Sequence, residues 1–429
     1  MKRTLVSLLL VFALILGLCG TSFADEKVHL VFWDECPGSD QTPLFKELIA
    51  EFEAENPDIE VEYVGIPWDS AKEKYDTAIA SKTTPDVASI HNTWLSNFVT
   101  KGALVSLEDK FNAWEDADQF SKGLLEAIRA DASDGMLYTI PYTDNMPVLW
   151  IRKDLVEEKG LQLPVTWDDF FNLVQEMNDP DNGKYGFTIR GGAGGSGQIL
   201  HGVVAYSGIT SYFDEDMHCT INNDKAVEFL ERYAALYGKC TAVSDITAGL
   251  GETVSAFDSG VAAAMFHNLG SYPDHLEVLT PDQFVGLPYP LSVDGARTYG
   301  GSMWCGYVMF NTTEHPEESW RFLQFMASKH GISRYNEVIG QLPTRSDVGE
   351  EDWVMKAQHI KAAMEYAAQP DAVSVSEPTY IPTYSSIPGN MLPLFQEMLA
   401  GSMTPREYLD AYAAAIEEAY QEMLQMNAQ

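Results

Sequence analysis

The sequence predicts an α/β fold assembled from more than one unit, and three observations carry that expectation. Apolar, β-rich runs alternate with amphipathic helical stretches over residues 28–90. A second unit of the same kind begins near Pro147. Removing an N-terminal leader of 24 residues leaves 405, enough for two or three lobes with proper cores.

The leader is read from residues 1–24. Lys2 and Arg3 precede an apolar run over residues 5–18, and Ser22-Phe23-Ala24 places small residues where a signal peptidase reads them. This is the pattern of a secretory signal peptide cleaved between Ala24 and Asp25. The run is shorter than the roughly 20 apolar residues a spanning helix needs, which disfavours a membrane anchor. Lipid attachment at Cys19 is disfavoured because the bulky Leu18 precedes it. The expected location is therefore exported, periplasmic or at the cell surface.

The elements follow in order. Residues 28–33 are a β-rich run, apolar apart from His29, as suits a strand buried on both faces. Thr42 and Pro43 read as an N-cap followed by proline at the first helical position. Leu44, Phe45, Leu48, Ile49 and Phe52 then form one helical face, and Asn56-Pro57 ends it. Residues 59–64, 69–81 and 86–90 read as strand, helix and strand. Strands separated by single helices imply a parallel sheet with right-handed crossovers.

In the second unit, residues 149–151 are strand-like and residues 153–159 form a short helix. Thr166-Trp167-Asp168-Asp169 resembles a capping box that opens a helix carrying Phe170, Leu173, Val174 and Met177. Further expectations are a strand at 185–189, a glycine-rich loop at 191–197, and helices at 198–206 and 223–237. Strands follow at 261–266 and within 299–310, and a helix at 319–328. Residues 404–407 open a long final helix with a capping box and a first-turn proline.

Charge and cysteine usage narrow the class. Without Lys2 and Arg3, 25 basic residues face 63 acidic ones, a net charge of −38. Such a surface repels phosphate backbones, so no nucleic-acid partner is expected. Cys36, Cys219, Cys240 and Cys305 remain in an oxidising compartment and allow three full pairings. Cys219–Cys240, the pair closest in sequence, is the expected single bridge. The nine histidines are scattered with no HxH or HExxH pair, so no metal site is expected.

Several segments together resemble the extracellular sugar-binding solute-binding proteins of ATP-binding-cassette importers, the maltose-binding-protein-like family. They are Thr84-Pro85-Asp86-Val87 with Trp94-Leu95 and Gly102-Ala103-Leu104, then Gly135 to Tyr142 and Leu149 to Leu155 around the crossover. Pro164 to Phe170, Phe257 to Met265 and Gly340-Gln341-Leu342-Pro343-Thr344-Arg345 complete the set. The resemblance implies a two-lobed periplasmic-binding-protein-like α/β fold with the ligand in a cleft between lobes. It places residues 25–142 plus 297–341 in one lobe and 147–292 plus 345–429 in the other. It further implies a monomer that captures a sugar or oligosaccharide, closes, and delivers it to a membrane permease.

The candidate binding residues lie where such folds place ligands, beyond the carboxyl ends of parallel strands. Trp33 and Asp34, with Glu35, follow the first strand; Ile66-Pro67-Trp68 follows the second; Asn92 and Trp94, with His91, follow the third. Asp144 and Asn145 sit in the crossover. His267 and Asn268 follow a buried strand, Gly301 and Trp304 lie in a glycine-rich segment, and Tyr380 and Tyr384, with Asn390, precede the final helix. Aromatic faces suit the C–H face of a sugar, and acids, amides and imidazoles suit its hydroxyls. These loops carry acids and no Arg or Lys, which disfavours an anionic ligand. Trp94→Ala and Asp144→Ala are each expected to weaken binding while leaving the apo melting midpoint nearly unchanged.

Gly192-x-Gly194-x-x-Gly197 matches a dinucleotide fingerprint in spacing, with Asp214 some way beyond. It lies outside the first βαβ unit, so the expected role is a flexible cleft loop offering N–H groups to ligand hydroxyls, and no cofactor is expected. The alternative function is a secreted carbohydrate-active enzyme using paired carboxylates such as Asp34, Glu35 and Asp144. No motif supports it, and the expectation is a binder rather than an enzyme.

Overall fold

A computed structural model describes residues 27–132, 134–301 and 303–427. The leader and its cleavage site lie outside the described residues. No helix among those described is long and apolar enough to cross a membrane.

The strands, in chain order, are β1 (Val28–Asp34), β2 (Ile59–Gly65), β3 (Val87–His91), β4 (Thr139–Asp144), β5 (Pro147–Ile151), β6 (Ala264–Asn268), β7 (Val285–Pro288), β8 (Arg297–Gly300), β9 (Cys305–Met309), β10 (Leu342–Pro343) and β11 (Ala372–Val375). They form a six-stranded sheet in the order β10-β4-β9-β3-β1-β2, a three-stranded sheet β6-β5-β7, and the pair β11-β8.

The expected parallel start is present. β1 runs parallel to β2, from Val28 opposite Ile59 to Asp34 opposite Gly65, and parallel to β3. The rest of this sheet departs from the all-parallel expectation. β9 inserts between β3 and β4, antiparallel to both, and β10 adds an antiparallel edge. Strand alternation along the chain could not show this, because β9 arrives more than 150 residues after β4 and brings no local signal. The three-stranded sheet is antiparallel throughout.

Helices cover these sheets as their apolar faces dictate. Gln41–Glu55 buries Leu44, Phe45, Leu48, Ile49 and Phe52 against the first sheet. Each such side chain contributes roughly 1.5–3 kcal/mol of burial free energy. The helix begins one residue before Thr42, and Asp40 rather than Thr42 holds the N-cap position. Pro43 is tolerated there because the first-turn N–H groups have no partner within the helix. Trp167–Glu176 opens as expected: Asp169 N donates to Thr166 Oγ1 at 3.1 Å, and Thr166 N donates to Asp169 Oδ2 at 2.9 Å.

Other expectations shift. Residues 185–189 form isolated bridges, Tyr185 to Ala262 and Thr188 to Met265, instead of a continuous strand. The helix after the glycine loop starts at Gly195 and runs to Ser207, so the last three residues of the expected loop are helical. Asn390 belongs to helix Ile387–Leu399, which absorbs Pro388 in its first turn and carries Pro393 inside. The final helix is Pro405–Asn427. The expected Cys219–Cys240 bridge is absent, and no disulfide joins any of Cys36, Cys219, Cys240 and Cys305. Cys219 is packed inside the core of the second unit, where closeness in sequence does not bring it a partner.

Two large cores result. One surrounds the six-stranded sheet and includes Phe32, Phe45, Trp94 and Trp304. The other gathers Trp167, Phe170, Phe266, Tyr384 and Tyr412. The chain passes between them through Asn145 and Met146, which join β4 to β5. β8 pairs with β11 and its Thr298 hydroxyl donates to Val204 O of helix Gly195–Ser207. It thus packs with the second unit, although the expected boundary had placed residue 297 in the first.

Candidate functional site

The carboxyl ends of β1 and β3 face the crossover and the end of β6 across a cavity of about 640 Å³. Glu35, Trp68, His91 and Tyr142 line it from the first unit. Arg190, Gly249, Glu252, His267 and Asn268 line it from the second, with Asn145 at the crossover. The volume lies in the range of small-molecule sites, roughly 300–1,000 Å³.

Trp68 opens the helix that follows β2 and is 40 % exposed. Its ring stacks on Trp94 at 5.5 Å and 21°, and meets the His91 ring edge-on at 5.3 Å. Trp94 is only 5 % exposed and belongs to the core. An indole held flat from behind and open in front is a preorganised surface for an apolar face.

Beneath the cavity, β1 ends in two buried acids. Asp34 accepts from Tyr63 Oη at 2.7 Å and from Cys36 N at 3.1 Å. Ser89 donates to Glu35 Oε2. Burial raises both carboxyls above their ordinary range, and the neighbouring Asp34 charge raises Glu35 further. Burial likewise pushes His91 down to about 4 and His267 well below its usual value, so both imidazoles are neutral at pH 7. His267 Nδ1 is buried with no hydrogen-bond partner among the described residues.

Asn145 pins the crossover. Its Oδ1 accepts from Met146 N at 3.0 Å and from Leu269 N at 2.9 Å, tying β4–β5 to the turn after β6. Asn268 Oδ1 accepts from Gly270 N at 2.9 Å. Both amides are therefore held in one orientation at the cavity wall.

Of the residues expected to bind, Asn145, His267 and Asn268 line this cavity; Trp33, Asp34, Asn92, Trp94, Asp144, Gly301, Trp304, Tyr380 and Tyr384 do not. Trp33 is half-buried, with Lys74 Nζ 4.6 Å from its ring centre. Trp304 and Tyr384 are core residues. Asn92 is buried and its N–H donates to Trp304 O. Asp144 ends β4 and accepts from Asn145 N at 2.8 Å. The missing side chain of Gly301 makes room for the Ser376 backbone, 2.6 Å from where a Cβ would stand. Tyr380 O accepts from Ser96 Oγ at 2.8 Å, a contact between the two units.

The glycine loop also behaves differently from expectation. Gly191 N and Gly192 N donate to Asp245 O and Ala248 O, so these N–H groups brace the protein. Arg190, outside the loops expected to bind, lines the cavity beside them and its Nε donates to Ala193 O at 2.6 Å, so the cleft holds a cation that those loops do not supply. Trp68 lies in the loop after β2 that was expected at the cleft, whereas Arg190, Glu252 and Gln341 line the cavity without having been expected there. Among the described residues, no three His, Cys, Asp or Glu are grouped to hold a metal ion.

The chain belongs to the bacterial extracellular solute-binding proteins, whose family signature matches residues 38–331. It is 29 % identical over 220 residues to a mannitol-binding protein of Pseudomonas aeruginosa, covering 49 % of each chain. It is 24 % identical over 335 residues to a lactose-binding protein of Rhizobium radiobacter, covering 74 % of each. Its fold is that of the ABC substrate-binding protein Lmo0181 from Listeria monocytogenes, solved in complex with cycloalternan, with a TM-score of 0.79, 19 % identity, and coverage of 92 % of this chain and 99 % of that one. The architecture is accordingly the two-domain α/β fold of substrate-binding transport proteins.

Proposed function

We propose that this protein captures a neutral, hydroxyl-rich solute, a sugar, sugar alcohol or oligosaccharide, and hands it to a membrane permease after lobe closure. The observation that carries this reading is the cavity itself. It opposes a half-exposed, back-stacked indole from one lobe to neutral imidazole and amide groups from the other. A ligand shifts an open–closed equilibrium only by contacting both sides, and this cavity offers contacts on both. The names of the relatives, mannitol- and lactose-binding, fit the same ligand class.

In this reading the binding set is Trp68, Asn145, His267, Asn268 and Glu35. The lobes are those expected from the sequence, with the second boundary moved to the β8–β9 connection. The protein works as an exported monomer and binds without turnover.

A thermal-shift screen against mannitol, ribitol, lactose, maltose and maltotriose tests this. A ligand at a hundredfold its dissociation constant adds about 2.7 kcal/mol of stability. Chromatography of the incubated sugar separates binder from enzyme: recovered intact sugar supports capture, and a released product supports the hydrolase.

A further inference from the structure

Three carboxamides line the main cavity, each from a different part of the chain: Asn145 from the crossover, Asn268 from the end of β6, and Gln341 from the turn before β10. Each spends its oxygen on the protein. Asn145 Oδ1 takes the N–H groups of Met146 and Leu269, and Asn268 Oδ1 takes Gly270 N. Thr143 shares its hydroxyl proton between Asn336 Oδ1 at 2.6 Å and Gln341 Oε1 at 2.8 Å. None of the three amide nitrogens donates to a protein group among the described residues, and none is a sealed atom without a partner. The wall is therefore oriented, with its oxygens turned to the protein and its N–H groups left for the cavity.

Two of these donors converge at Gly270, which also lines the cavity. A Cβ there would stand 2.5 Å from Gln341 Nε2 and 3.3 Å from Asn145 Nδ2. The backbone of Gly270 lies outside the left-handed region, so what the glycine supplies is room for the amides to approach. Both nitrogens then lie within reach of one acceptor oxygen at ordinary N–H···O distances of about 2.7–3.2 Å. Two donors aimed at one place favour an oxygen with two lone pairs and no proton of its own to place. A carbonyl oxygen meets that description and a hydroxyl does not. A carboxylate is disfavoured, because Asp40, Glu252 and Asp274 line the same cavity and outnumber Arg190. The uncharged carbonyl that a hydroxyl-rich ligand can carry is that of an acetamido group. Met303, whose N–H donates to Asn145 O at 3.4 Å, lines the cavity beside the amides and offers apolar surface to the acetamido methyl.

We propose that the cavity is built for a neutral N-acetylated sugar, whose acetamido carbonyl accepts from Gln341 Nε2 and Asn145 Nδ2 at Gly270 while its methyl packs on Met303. This rests on the sugar-capture reading above and deepens it by naming the ligand class.

The test is isothermal titration of the full mature chain with matched sugars, N-acetylglucosamine against glucose and N,N′-diacetylchitobiose against cellobiose. Within each pair only acetamido replaces hydroxyl at carbon 2, and glucuronate supplies the carboxylate arm. Wild-type protein is compared with Gln341→Glu, which keeps an oxygen for Thr143 and replaces the N–H2 group by an acceptor. Gly270→Ala, which puts a methyl where the Gln341 amide now packs, is the second variant. Melting midpoints check that both fold, and Gln341→Glu decides alone if Gly270→Ala does not. The proposal expects the N-acetylated member of at least one pair to bind about tenfold or more tighter than its counterpart, and the folded variants to erase that preference. Equal or weaker binding of both N-acetylated sugars, a preference that a folded variant leaves intact, or glucuronate binding tighter than N-acetylglucosamine would overturn it. If these sugars fail while mannitol, lactose or maltose binds, this proposal falls alone. If every sugar fails, the sugar-capture reading falls and takes this proposal with it.

Discussion

Trp68 lies flat against Trp94, one indole 40 % exposed at the cleft wall and the other 5 % exposed in the core behind it. This pairing divides ligand contact from support between two residues that look alike in sequence. It reverses the expected outcome for Trp94. Trp94→Ala opens a cavity in the core and should cost about 3–5 kcal/mol of stability. Trp68→Ala removes one aromatic contact, about 1 kcal/mol of stability, and should weaken ligand binding about tenfold. Denaturant unfolding and calorimetric titration of the two variants check this. A Trp94→Ala protein of unchanged stability would contradict the assignment.

The acid at the foot of the cleft sets a pH dependence. Glu35 is held above its ordinary value, to about 8, by burial and by the charge of Asp34. A raised carboxyl pKa in the folded state means that its stabilising contribution is full below the unfolded value and is lost as pH rises towards the folded one. Glu35→Gln keeps the uncharged, hydrogen-bonding shape and escapes that loss. Its unfolding free energy should match wild type near pH 4 and exceed it progressively between pH 5 and 8, by about 2 kcal/mol or more at the upper end. A variant less stable than wild type at pH 8 would show that the ionised carboxylate is the native form.

Asn145 carries structure as well as ligand contact. Asn145→Ala leaves Met146 N without its side-chain acceptor at the crossover, while Leu269 N keeps Met146 O at 3.2 Å. The expected loss is about 1–3 kcal/mol of stability. His267→Ala should instead weaken binding with a smaller change in the melting midpoint, because His267 Nδ1 has no protein partner to lose. Parallel thermal unfolding and ligand titration distinguish the two roles.

The four thiols give a redox prediction. With no disulfide among the described residues, reductant should leave the melting midpoint unchanged, and alkylation after unfolding should label Cys36, Cys219, Cys240 and Cys305. A drop of several degrees with reductant would reveal a bridge that stabilises the fold.

Much of the fold was legible because it is locally encoded. The apolar period of helix Gln41–Glu55, the Thr166–Asp169 capping box and the buried run of β3 each depend on neighbours in sequence; β1, expected to be buried on both faces, instead alternates, with Leu30, Phe32 and Asp34 buried and His29 exposed. The insertion of β9 between β3 and β4 depends on pairing across a long separation, which no local pattern carries. The site divides in the same way. Asn145, His267 and Asn268 stand at strand ends, where α/β folds place ligand contacts, and they line the cavity. Trp94 and Trp304 also follow or precede strands, but which indole faces solvent is decided by packing against Trp68 and the first core. Arg190 and Gln341 reach the cleft from segments with no such positional signal.

The central claim is that a hydroxyl-rich solute is gripped between the two units with Trp68 as its stacking surface. Calorimetric titration of wild-type protein and Trp68→Ala, with whichever sugar most raises the melting midpoint, tests it most directly. The account predicts saturable one-to-one binding to wild type and a loss of about tenfold in the variant. Equal affinities for both proteins, or no heat with any sugar that the screen offers, would contradict it.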